Sequence, residues 1–290
     1  MSLRFTKMHG LGNDFVVVDA RTTPFALDAP AIRWLGDRHF GIGFDQLLTI
    51  ERARDPSCSF AYGIWNSDGS SAGQCGNGVR CVAAWLARAG ALGAGMTRLE
   101  SPSGAVAVEL LGDDSVRVDM GEPRFAPAAI PFAADAESDA YAIDVVGREV
   151  EIGAVSMGNP HALVEVDDVA AAPVAVLGPQ IEYAPAFPQR CNVGFAEVVS
   201  RGAIRLRVWE RGVGETLACG SGACAAVAVL RRRAKVDAEV RVALPGGELE
   251  LRWDGPGHPV WMRGPAAFVF DGEIAGRATG AIAPEATRKP

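Results

Sequence analysis

The chain of 290 residues contains two matched Cys-Gly-x-Gly segments, one in each half. The first begins at Cys75 and the second at Cys219, and the same interval separates each cysteine from a preceding tryptophan, Trp65 or Trp209. An Ala/Val-rich stretch follows each segment and predicts a helix. A thiol at a helix N-terminus can act as an acid or a base near neutral pH. Two such thiols, related by internal duplication, predict a single site in which they act from opposite sides.

Proton transfer at a carbon atom is the chemistry that suits two thiols. A thiolate on one face of the carbon can remove a proton while a thiol on the other face supplies one, which inverts the stereocentre. The carbanion needs stabilisation, and two helix N-termini directed at a substrate carboxylate provide it. The predicted donors are the backbone N–H groups of Gly76, Asn77, Gly220 and Ser221.

Other uses of the thiols are less well supported by the sequence. Free cysteine is often a core residue, and this is the expectation for Cys81 and Cys224, whereas Cys58 and Cys191 are treated as incidental. A metal site needs three or four suitably spaced ligands, and the four histidines do not cluster. Three lysines leave little choice for a pyridoxal phosphate Schiff base, and glycine motifs for dinucleotides or phosphates are absent. The sequence therefore predicts no metal and no organic cofactor.

Polar side chains also recur at matched positions in the two halves. They are Asn13, Gln46 and Asn66 in the first half, and Asn159, Asn192 and Glu210 in the second. Repeated pairs around two cysteines are predicted to line a cleft. Arg211 could bind a second substrate carboxylate bidentately, the alternative being a solvated arginine. His161 is either a structural histidine or an orienting group beside Glu210.

Composition restricts the class of protein. A hydrophobic fraction of 49% and a charged fraction of 22% are ordinary for a soluble globular chain. The net charge of −7 argues against a nucleic-acid surface. The sequence shows no signal peptide and no apolar run of membrane-spanning length. We therefore expect a cytoplasmic protein with free thiols, which binds neither nucleic acid nor membrane.

The length and the duplication together predict two similar domains in an α+β fold. The predicted strands are Asp14–Asp19, Asp45–Glu51, Phe60–Trp65, Ala105–Leu111, Ser115–Met120, Ala162–Val166 and Ala203–Trp209, and the predicted helices are Pro30–Phe40, Val79–Ala89 and Ala223–Ala234. The proline-rich stretch Gly121–Pro131 is the expected crossing between the domains. The tail at 281–290 is expected to be disordered.

The motifs resemble those of the diaminopimelate epimerase family, which belongs to the cofactor-independent two-cysteine racemases and epimerases. The matching segments are Lys7–Phe15, Gly43–Gln46, Asn66–Ser70, Cys75–Cys81, Met157–His161, Asn192–Val193, Glu210–Thr216 and Ala218–Gly222. They keep the order expected for the family over most of the chain. Two positions depart from the family pattern: Gly194 stands where an acidic residue is usual, and Cys191 where a hydroxyl or aliphatic residue is more common.

The resemblance implies an activity and roles for the site residues. The activity is the interconversion of LL- and meso-2,6-diaminopimelate, a small diamino dicarboxylate, in the synthesis of lysine and peptidoglycan precursors. Cys75 and Cys219 would form the acid/base pair. The distal, non-reacting centre of the substrate would be held by Asn13, Asn66, Asn159, Asn192 and Arg211. The reacting end would be supported by Gln46, His161 and Glu210.

The resemblance also implies an architecture. Two pseudo-twofold-related domains each form a mixed, barrel-like sheet around a central helix, and the site lies in the interdomain cleft. A C-terminal strand near Ala266–Gly272 would return to the first domain, which would comprise 1–120 plus about 266–280, with the second at 121–265. A homodimer is implied as well. The alternatives are a proline or hydroxyproline racemase of the same fold and, from another class, a thiol-based metal or redox binding protein.

Overall fold

The computed structural model describes residues 2–73, 75–113 and 115–275. These residues form four α-helices, α1 (Ala29–Gly36), α2 (Gly76–Arg88), α3 (Val174–Glu182) and α4 (Gly220–Arg232). Their strands are β1 (Ser2–Gly10), β2 (Asn13–Asp19), β3 (Gln46–Glu51), β4 (Phe60–Asn66), β5 (Gly95–Ser101), β6 (Gly104–Leu110), β7 (Val116–Asp119), β8 (Tyr141–Val145), β9 (Arg148–Ser156), β10 (Pro160–Glu165), β11 (Asn192–Ser200), β12 (Ala203–Glu210), β13 (Gly214–Thr216), β14 (Glu239–Leu244), β15 (Gly247–Trp253), β16 (Val260–Gly264) and β17 (Ala267–Ala275).

The strands pair in the same order in the two halves of the chain. The first run is β17-β1-β2-β3-β4-β5-β6-β7, and the second is β8-β9-β10-β11-β12-β14-β15-β16. In each run the third strand lies parallel to the fourth, the fifth lies parallel to the sixth, and the other pairs are antiparallel. Strand β7 pairs with β16 and joins the two runs. The internal duplication read from the sequence is therefore present in the topology.

Each run of strands surrounds one helix. Helix α2 contacts β1, β2, β3, β6 and β7, and α4 contacts β9, β10, β11, β12, β15 and β16. Residues Ala223 to Leu230 of α4 are all buried, as their apolar composition predicts for a helix covered on most faces. The fold is thus α+β, with two similar halves in which a mixed, barrel-like sheet encloses a central helix. This confirms the predicted fold class.

Both central helices begin three residues earlier than predicted. Helix α2 starts at Gly76 and α4 at Gly220, so the glycines of each Cys-Gly-x-Gly segment form the first helical turn. Because glycine has a low helix propensity, the sequence pattern does not indicate that a helix starts at these positions. The N-cap residues are Cys75 and Cys219, each in an extended conformation with its sulfur accepting a bond from the N–H three residues on.

The predicted helix Pro30–Phe40 is too long, because α1 ends at Gly36. Its C-cap residue, Asp37, has an extended backbone with φ −64° and ψ 126°. The Asp37 carboxylate accepts hydrogen bonds from the N–H groups of His39 (2.7 Å) and Phe40 (2.8 Å). This local side-chain turn competes with the next helical turn.

Helix α3 was not predicted, since Pro179 lies inside it and its N-cap, Pro173, makes no side-chain capping bond. Every strand predicted from the sequence pattern is present, with ends that differ by at most two residues. Strand β17 lies antiparallel to β1, so the C-terminal strand does return to the start of the chain.

The domain boundaries remain predictions. The segment 276–280 and the tail at 281–290 lie outside the described residues. None of the described helices has the length and apolar character needed to cross a bilayer.

Candidate active site

The two cysteine motifs have the same local geometry. The N–H of Gly78 lies 3.4 Å from Sγ of Cys75, and the N–H of Gly222 lies 3.4 Å from Sγ of Cys219. Each sulfur is therefore held at the positive end of a central helix. Cys219 is buried and Cys75 partly buried.

A side chain of the first motif reaches the second motif. Nδ2 of Asn77, on α2, donates to the carbonyl oxygen of Ala218 at 3.1 Å, immediately before Cys219. The same Nδ2 lies 3.3 Å from Oδ1 of Asn13. Asn77 is 3% exposed, and its Oδ1 is buried without a hydrogen-bond partner among the described residues. The two helix N-termini consequently meet at one place.

Met262 of β16 lies between the two helix starts. A Cβ added at Gly76 would come within 2.8 Å of Cε of Met262, and one added at Gly220 within 3.1 Å of its Sδ. Glycine at both positions therefore lets the backbones of α2 and α4 approach the same side chain.

Burial dominates the electrostatics of both thiols, which corrects the expectation of lowered pKa values at the helix N-termini. Desolvation raises the pKa of Cys75 to about 11, although the Gly78 N–H favours the thiolate. Desolvation also raises the pKa of Cys219 well above its ordinary value, and the negative charge of Glu210 adds to this effect. In this arrangement both thiols are held in the protonated form, and ionisation has to overcome the cost of burying a charge.

Asn13 faces the first cysteine. Its Oδ1 accepts a weak contact of 3.8 Å from Sγ of Cys75. Its Nδ2 donates to the Asp45 carboxylate at 2.9 Å, and this carboxylate also accepts the N–H of Asp14 at 3.1 Å. Arg38 donates to both Asp14 and Asp45, each at 2.8 Å. The orientation of the Asn13 amide is therefore set by an acidic pair and an arginine.

Gln46 and Asn66 lie side by side on β3 and β4. Nε2 of Gln46 donates to Oδ1 of Asn66 at 2.9 Å, and Nδ2 of Asn66 donates to Oγ of Ser70 at 3.0 Å. Oε1 of Gln46 is buried and has no hydrogen-bond partner among the described residues. A buried acceptor of this kind is suited to a ligand donor.

The corresponding group in the second half contains Asn159 and His161. Oδ1 of Asn159 lies 2.9 Å from Nε2 of His161. Burial, followed by the nearby Arg211 charge, lowers the pKa of His161 to about 3, so its imidazole is neutral. This bond to Asn159 orients the imidazole, and the expected position beside Glu210 stays a prediction.

Asn192 and Arg211 are joined through the backbone. The N–H of Arg211 donates to Oδ1 of Asn192 at 3.0 Å, and Nδ2 of Asn192 donates to the carbonyl of Pro160 at 3.2 Å. The Arg211 guanidinium is exposed and donates to the carbonyl oxygen of Gln189 at 3.1 Å. No carboxylate within the described residues forms an ion pair with it.

Glu210 and Ser221 complete the surroundings of Cys219. Oγ1 of Thr216 donates to the Glu210 carboxylate at 2.5 Å, and Oγ of Ser221 lies 3.6 Å from Sγ of Cys219. Burial raises the pKa of Glu210, although the Thr216 bond opposes this.

The two residues that depart from the family pattern are both buried. Sγ of Cys191 points at the carbonyl oxygen of Ile181, 3.8 Å away, and burial raises the pKa of this thiol. A Cβ at Gly194 would meet Leu163 at 3.1 Å and Leu206 at 3.4 Å. An acidic side chain there would enter an apolar space, so the absence of one is consistent with the packing.

Sequence reasoning missed two residues that position this site. Asp45 stands within the motif Gly43–Gln46, and its place in that motif was the available signal. Glu182 is buried and accepts bonds from Nε1 of Trp209 at 2.7 Å and from the N–H of Gly212 at 2.9 Å. It holds the turn that carries Arg211, but it lies on the unpredicted helix α3, and no sequence pattern marked it. In the part of the chain described, no group of three or more His, Cys, Asp or Glu side chains is placed to hold a metal ion.

In this fold a thiol caps each of the two matched central helices, and the fold is shared with a solved hydroxyproline epimerase and a probable proline racemase. Among solved structures, the chain is similar to a hydroxyproline epimerase from Agrobacterium vitis, with a TM-score of 0.67 and 17% identity over 94% of this chain and 92% of that one. It is also similar to a PhzF-family phenazine biosynthesis protein of Bacillus anthracis, with a TM-score of 0.68 and 14% identity over 95% of this chain and 99% of that one. At these identities the likeness concerns the fold.

The family follows from sequence similarity. The diaminopimelate epimerase family model matches residues 5–126 and 153–269. The diaminopimelate epimerase of Xanthomonas axonopodis pv. citri is 58% identical over 93% of this chain and 96% of its own length. That of Chromobacterium violaceum is 54% identical over 94% of this chain and 99% of its own length. The chain belongs to the diaminopimelate epimerase family.

Proposed function

We propose that this chain interconverts LL- and meso-2,6-diaminopimelate by proton transfer between two thiols and one α-carbon, without a cofactor. The observation that carries the proposal is the meeting of the two cysteine motifs, where Asn77 donates to Ala218 at 3.1 Å. The thiols of Cys75 and Cys219 cap the two helices joined by this bond. One thiolate takes the α-proton, and the other thiol delivers a proton to the opposite face of the carbon.

The reacting carboxylate is assigned to the two helix starts. The backbone N–H groups of Gly76, Asn77, Gly220 and Ser221 lie at the positive ends of α2 and α4. As the α-proton leaves, negative charge spreads onto this carboxylate, and helix N-termini stabilise it without reorganisation. The buried, unpartnered Oε1 of Gln46 can accept a hydrogen bond from the reacting ammonium group. His161 and Glu210 are assigned to this end as well, and the Glu210 carboxyl group lies near Cys219.

The residues that would bind the distal amino acid centre distinguish this proposal from the nearest alternative, a proline or hydroxyproline racemase. We assign this centre to Asn13, Asn66, Asn159, Asn192 and Arg211. The exposed Arg211 guanidinium can bind a second carboxylate bidentately, and Asn192 fixes the backbone that carries it. A proline or hydroxyproline racemase acts on a substrate with one carboxylate and has no use for such a group.

The test is solvent exchange on reduced, metal-stripped protein. LL-diaminopimelate and proline are incubated separately in D2O with the wild type and with the Cys75→Ala and Cys219→Ala variants. We expect meso-diaminopimelate carrying deuterium at one α-carbon, no change in proline, and loss of epimerisation in both variants. Turnover of proline alone would support the racemase alternative. No exchange with either substrate, together with metal found in the protein before stripping, would support the thiol-based binding protein.

The homodimer is proposed from strand β17. Its residues Phe268, Val269 and Phe270 are 39%, 55% and 50% exposed. Within the described residues β17 pairs only with β1, which leaves an apolar sheet edge of the kind that associates with another strand. A second copy of this chain is the proposed occupant.

Light scattering coupled to size exclusion should give a dimer for the wild type and a monomer for Phe270→Glu. Val176→Glu, at an exposed apolar position of α3, is the control and should stay dimeric. A monomeric wild type would contradict the proposal. We also place the enzyme in the cytoplasm, where reducing conditions keep both thiols free.

A further inference from the structure

Arg80, on α2, is a buried cation without an acidic partner among the described residues. Its side chain is fully buried, with Nε donating to the carbonyl oxygen of Pro265 at 3.2 Å. Nη1 lies 3.5 Å from the carbonyl oxygen of Gly76 and 3.7 Å from Sδ of Met262. Nη2 is buried with no hydrogen-bond partner among the described residues. Buried guanidinium groups are normally paired with a carboxylate, because an isolated buried charge is costly.

The ionisable groups that face Arg80 are thiols. Cys75 and Cys81 come from its own helix, and Cys224 comes from α4. The contacts from β16 and the segment after it are Met262, Gly264 and Pro265, and the contact from β1 is Gly10. These contribute no ionisable side chain. A thiolate is therefore the only countercharge that the described surroundings can supply.

The buried positive charge of Arg80 has no counterpart at the matching position in the second half of the chain. The offset that relates Cys75 to Cys219 relates Arg80 to Cys224. One central helix thus carries a buried cation where the other carries a neutral thiol. Among charged groups, Cys219 faces the carboxyl group of Glu210, whereas Cys75 faces both Glu210 and Arg80. Tyr62 also lies near Cys75, and Ser221 near Cys219. Two thiols with the same local geometry are consequently in different electrostatic environments.

We infer that Arg80 is a positioning residue that makes Cys75, and not Cys219, the first thiol of the pair to ionise. The inference rests on the proposed function, in which the two thiols act as a pair. The proton of Cys75 leaves to solvent, and its thiolate is stabilised by Arg80. When substrate binds, the α-carbon–hydrogen bond breaks and its proton moves to Cys75. The Cys219 S–H bond then breaks, its proton forms the new bond on the opposite face, and Cys219 is left as the thiolate.

The electrostatics of the two sulfurs agree with this order. Burial raises the pKa of both thiols, to about 11 for Cys75 and well above the ordinary value for Cys219. At both sulfurs the Glu210 charge adds to the rise, and only at Cys75 does a cation, Arg80, oppose it. Arg80 therefore favours the thiolate of Cys75 and not that of Cys219.

The experiment follows the ionisation of each thiol directly, without substrate. Reduced full-length protein is alkylated with iodoacetamide over a range of pH, and modification of Cys75 and Cys219 is measured separately by peptide fragmentation. The proteins compared are wild type, Arg80→Met, Arg80→Gln, Arg80→Lys and Arg233→Met. Arg233 is a matched control, because it is also largely buried and its Nη2 has no hydrogen-bond partner in the described part of the chain. Unlike Arg80, it lies after the end of α4 and pairs with Glu165.

We expect the alkylation midpoint of Cys75 to lie below that of Cys219 in the wild type. Loss of the charge in Arg80→Met or Arg80→Gln should raise the Cys75 midpoint by about one pH unit, which is roughly a tenfold fall in thiolate below the midpoint. Arg80→Lys should return the Cys75 midpoint most of the way to its wild-type value, and Arg233→Met should leave the Cys75 midpoint unchanged. Circular dichroism identifies any variant that fails to fold, and the second neutral variant then replaces it.

Three results would overturn the inference. They are a Cys219 midpoint below that of Cys75 in the wild type, no shift of Cys75 in a folded neutral variant, and equal shifts of both thiols. The wild-type order needs no variant and so decides the question even if Arg80 is essential for folding. Because no turnover is measured, failure of the proposed reaction in the D2O experiment is a separate result.

Discussion

The Asp45 carboxylate accepts a hydrogen bond of 2.9 Å from Nδ2 of Asn13. This bond fixes which end of the amide faces Asp45, so that the carbonyl end, Oδ1, points at Cys75 and Asn77. The relation is indirect but specific, because a carboxylate can only accept hydrogen bonds. Asp45 is outside direct reach of the Cys75 thiol. It nevertheless determines that the acceptor end of the Asn13 amide faces this thiol.

Asp45→Asn should therefore weaken catalysis. The new amide can turn a donor towards Asn13, and misorientation next to a reacting group costs roughly ten- to a hundredfold in rate. We expect kcat/KM for diaminopimelate to fall by that factor, with little change in the melting temperature. Asp19→Asn is the control, since Asp19 also pairs with an arginine, Arg21, but stands at the other end of β2. Equal activity of the two variants would show that Asp45 has no such role.

The sequence predicted the strands and the twofold plan well, because these depend on local alternation and on repeated landmarks. It could not predict that β7 would pair with β16, since the paired residues, such as Val118 and Met262, are remote in the chain and share no local signal. Helix α3 was missed because an internal proline, Pro179, argues against a helix that tertiary packing nevertheless stabilises.

The repeat in the sequence indicates which side chains lie near one another, but not how their surroundings affect ionisation. Gln46 and Asn66 could be assigned to one cleft from their places in the repeat, and they are hydrogen-bonded neighbours. The ionisation of Cys75 could not be predicted in this way. The helix N-terminus lowers the pKa of a thiol, but burial raises it more, and burial is a property of the folded chain.

The neutral, buried imidazole of His161 should make the protein sensitive to acid. Burial lowers the pKa of His161 from 6.5 to about 3. As pH falls below about 6.5, His161 is protonated in the unfolded chain but stays neutral in the folded chain. The free energy of unfolding therefore decreases by up to about 1.4 kcal/mol per pH unit. Urea denaturation of wild type and His161→Gln at neutral and at acidic pH measures this loss.

The expected result is a smaller acid-induced loss of stability in His161→Gln than in wild type. The exposed His39 provides the control, and His39→Gln should lose as much stability in acid as the wild type does. Identical losses in all three proteins would contradict the assignment.

The buried thiols should make the protein sensitive to alkali. Burial raises the pKa of Cys75 to about 11 and that of Cys81 to about 12, both from 9.0. Their contribution to stability is complete below pH 9 and is lost as the pH rises through these values, because the unfolded chain ionises first. Melting temperatures measured from neutral to strongly alkaline pH should therefore fall above about pH 9.

Cys81→Ala should reduce this alkaline dependence, because one titrating group is removed. Val82→Ala, at the neighbouring buried position of α2, is the control. It loses packing but no ionisable group, so it should be destabilised by a similar amount at every pH. An unchanged alkaline slope in Cys81→Ala would show that Cys81 does not contribute to it.

A contact between the two halves limits which residue can occupy position 246. A Cβ at Gly246 would lie 1.9 Å from the carbonyl oxygen of Leu11 and 3.1 Å from that of Leu217, the residue two before Cys219. Both obstacles are backbone atoms, so Gly246→Ala can be accommodated only by moving one of these segments apart from the other. The cost of such overpacking is about 1–3 kcal/mol.

We expect a lower free energy of unfolding for Gly246→Ala and, because Leu11 lies beside Gly12 and Asn13, a lower kcat/KM. Gly202→Ala is the control, since a Cβ there meets no atom within 4 Å. If Gly246→Ala were as stable and as active as Gly202→Ala, the Leu11 turn would have to be free to move without affecting the site.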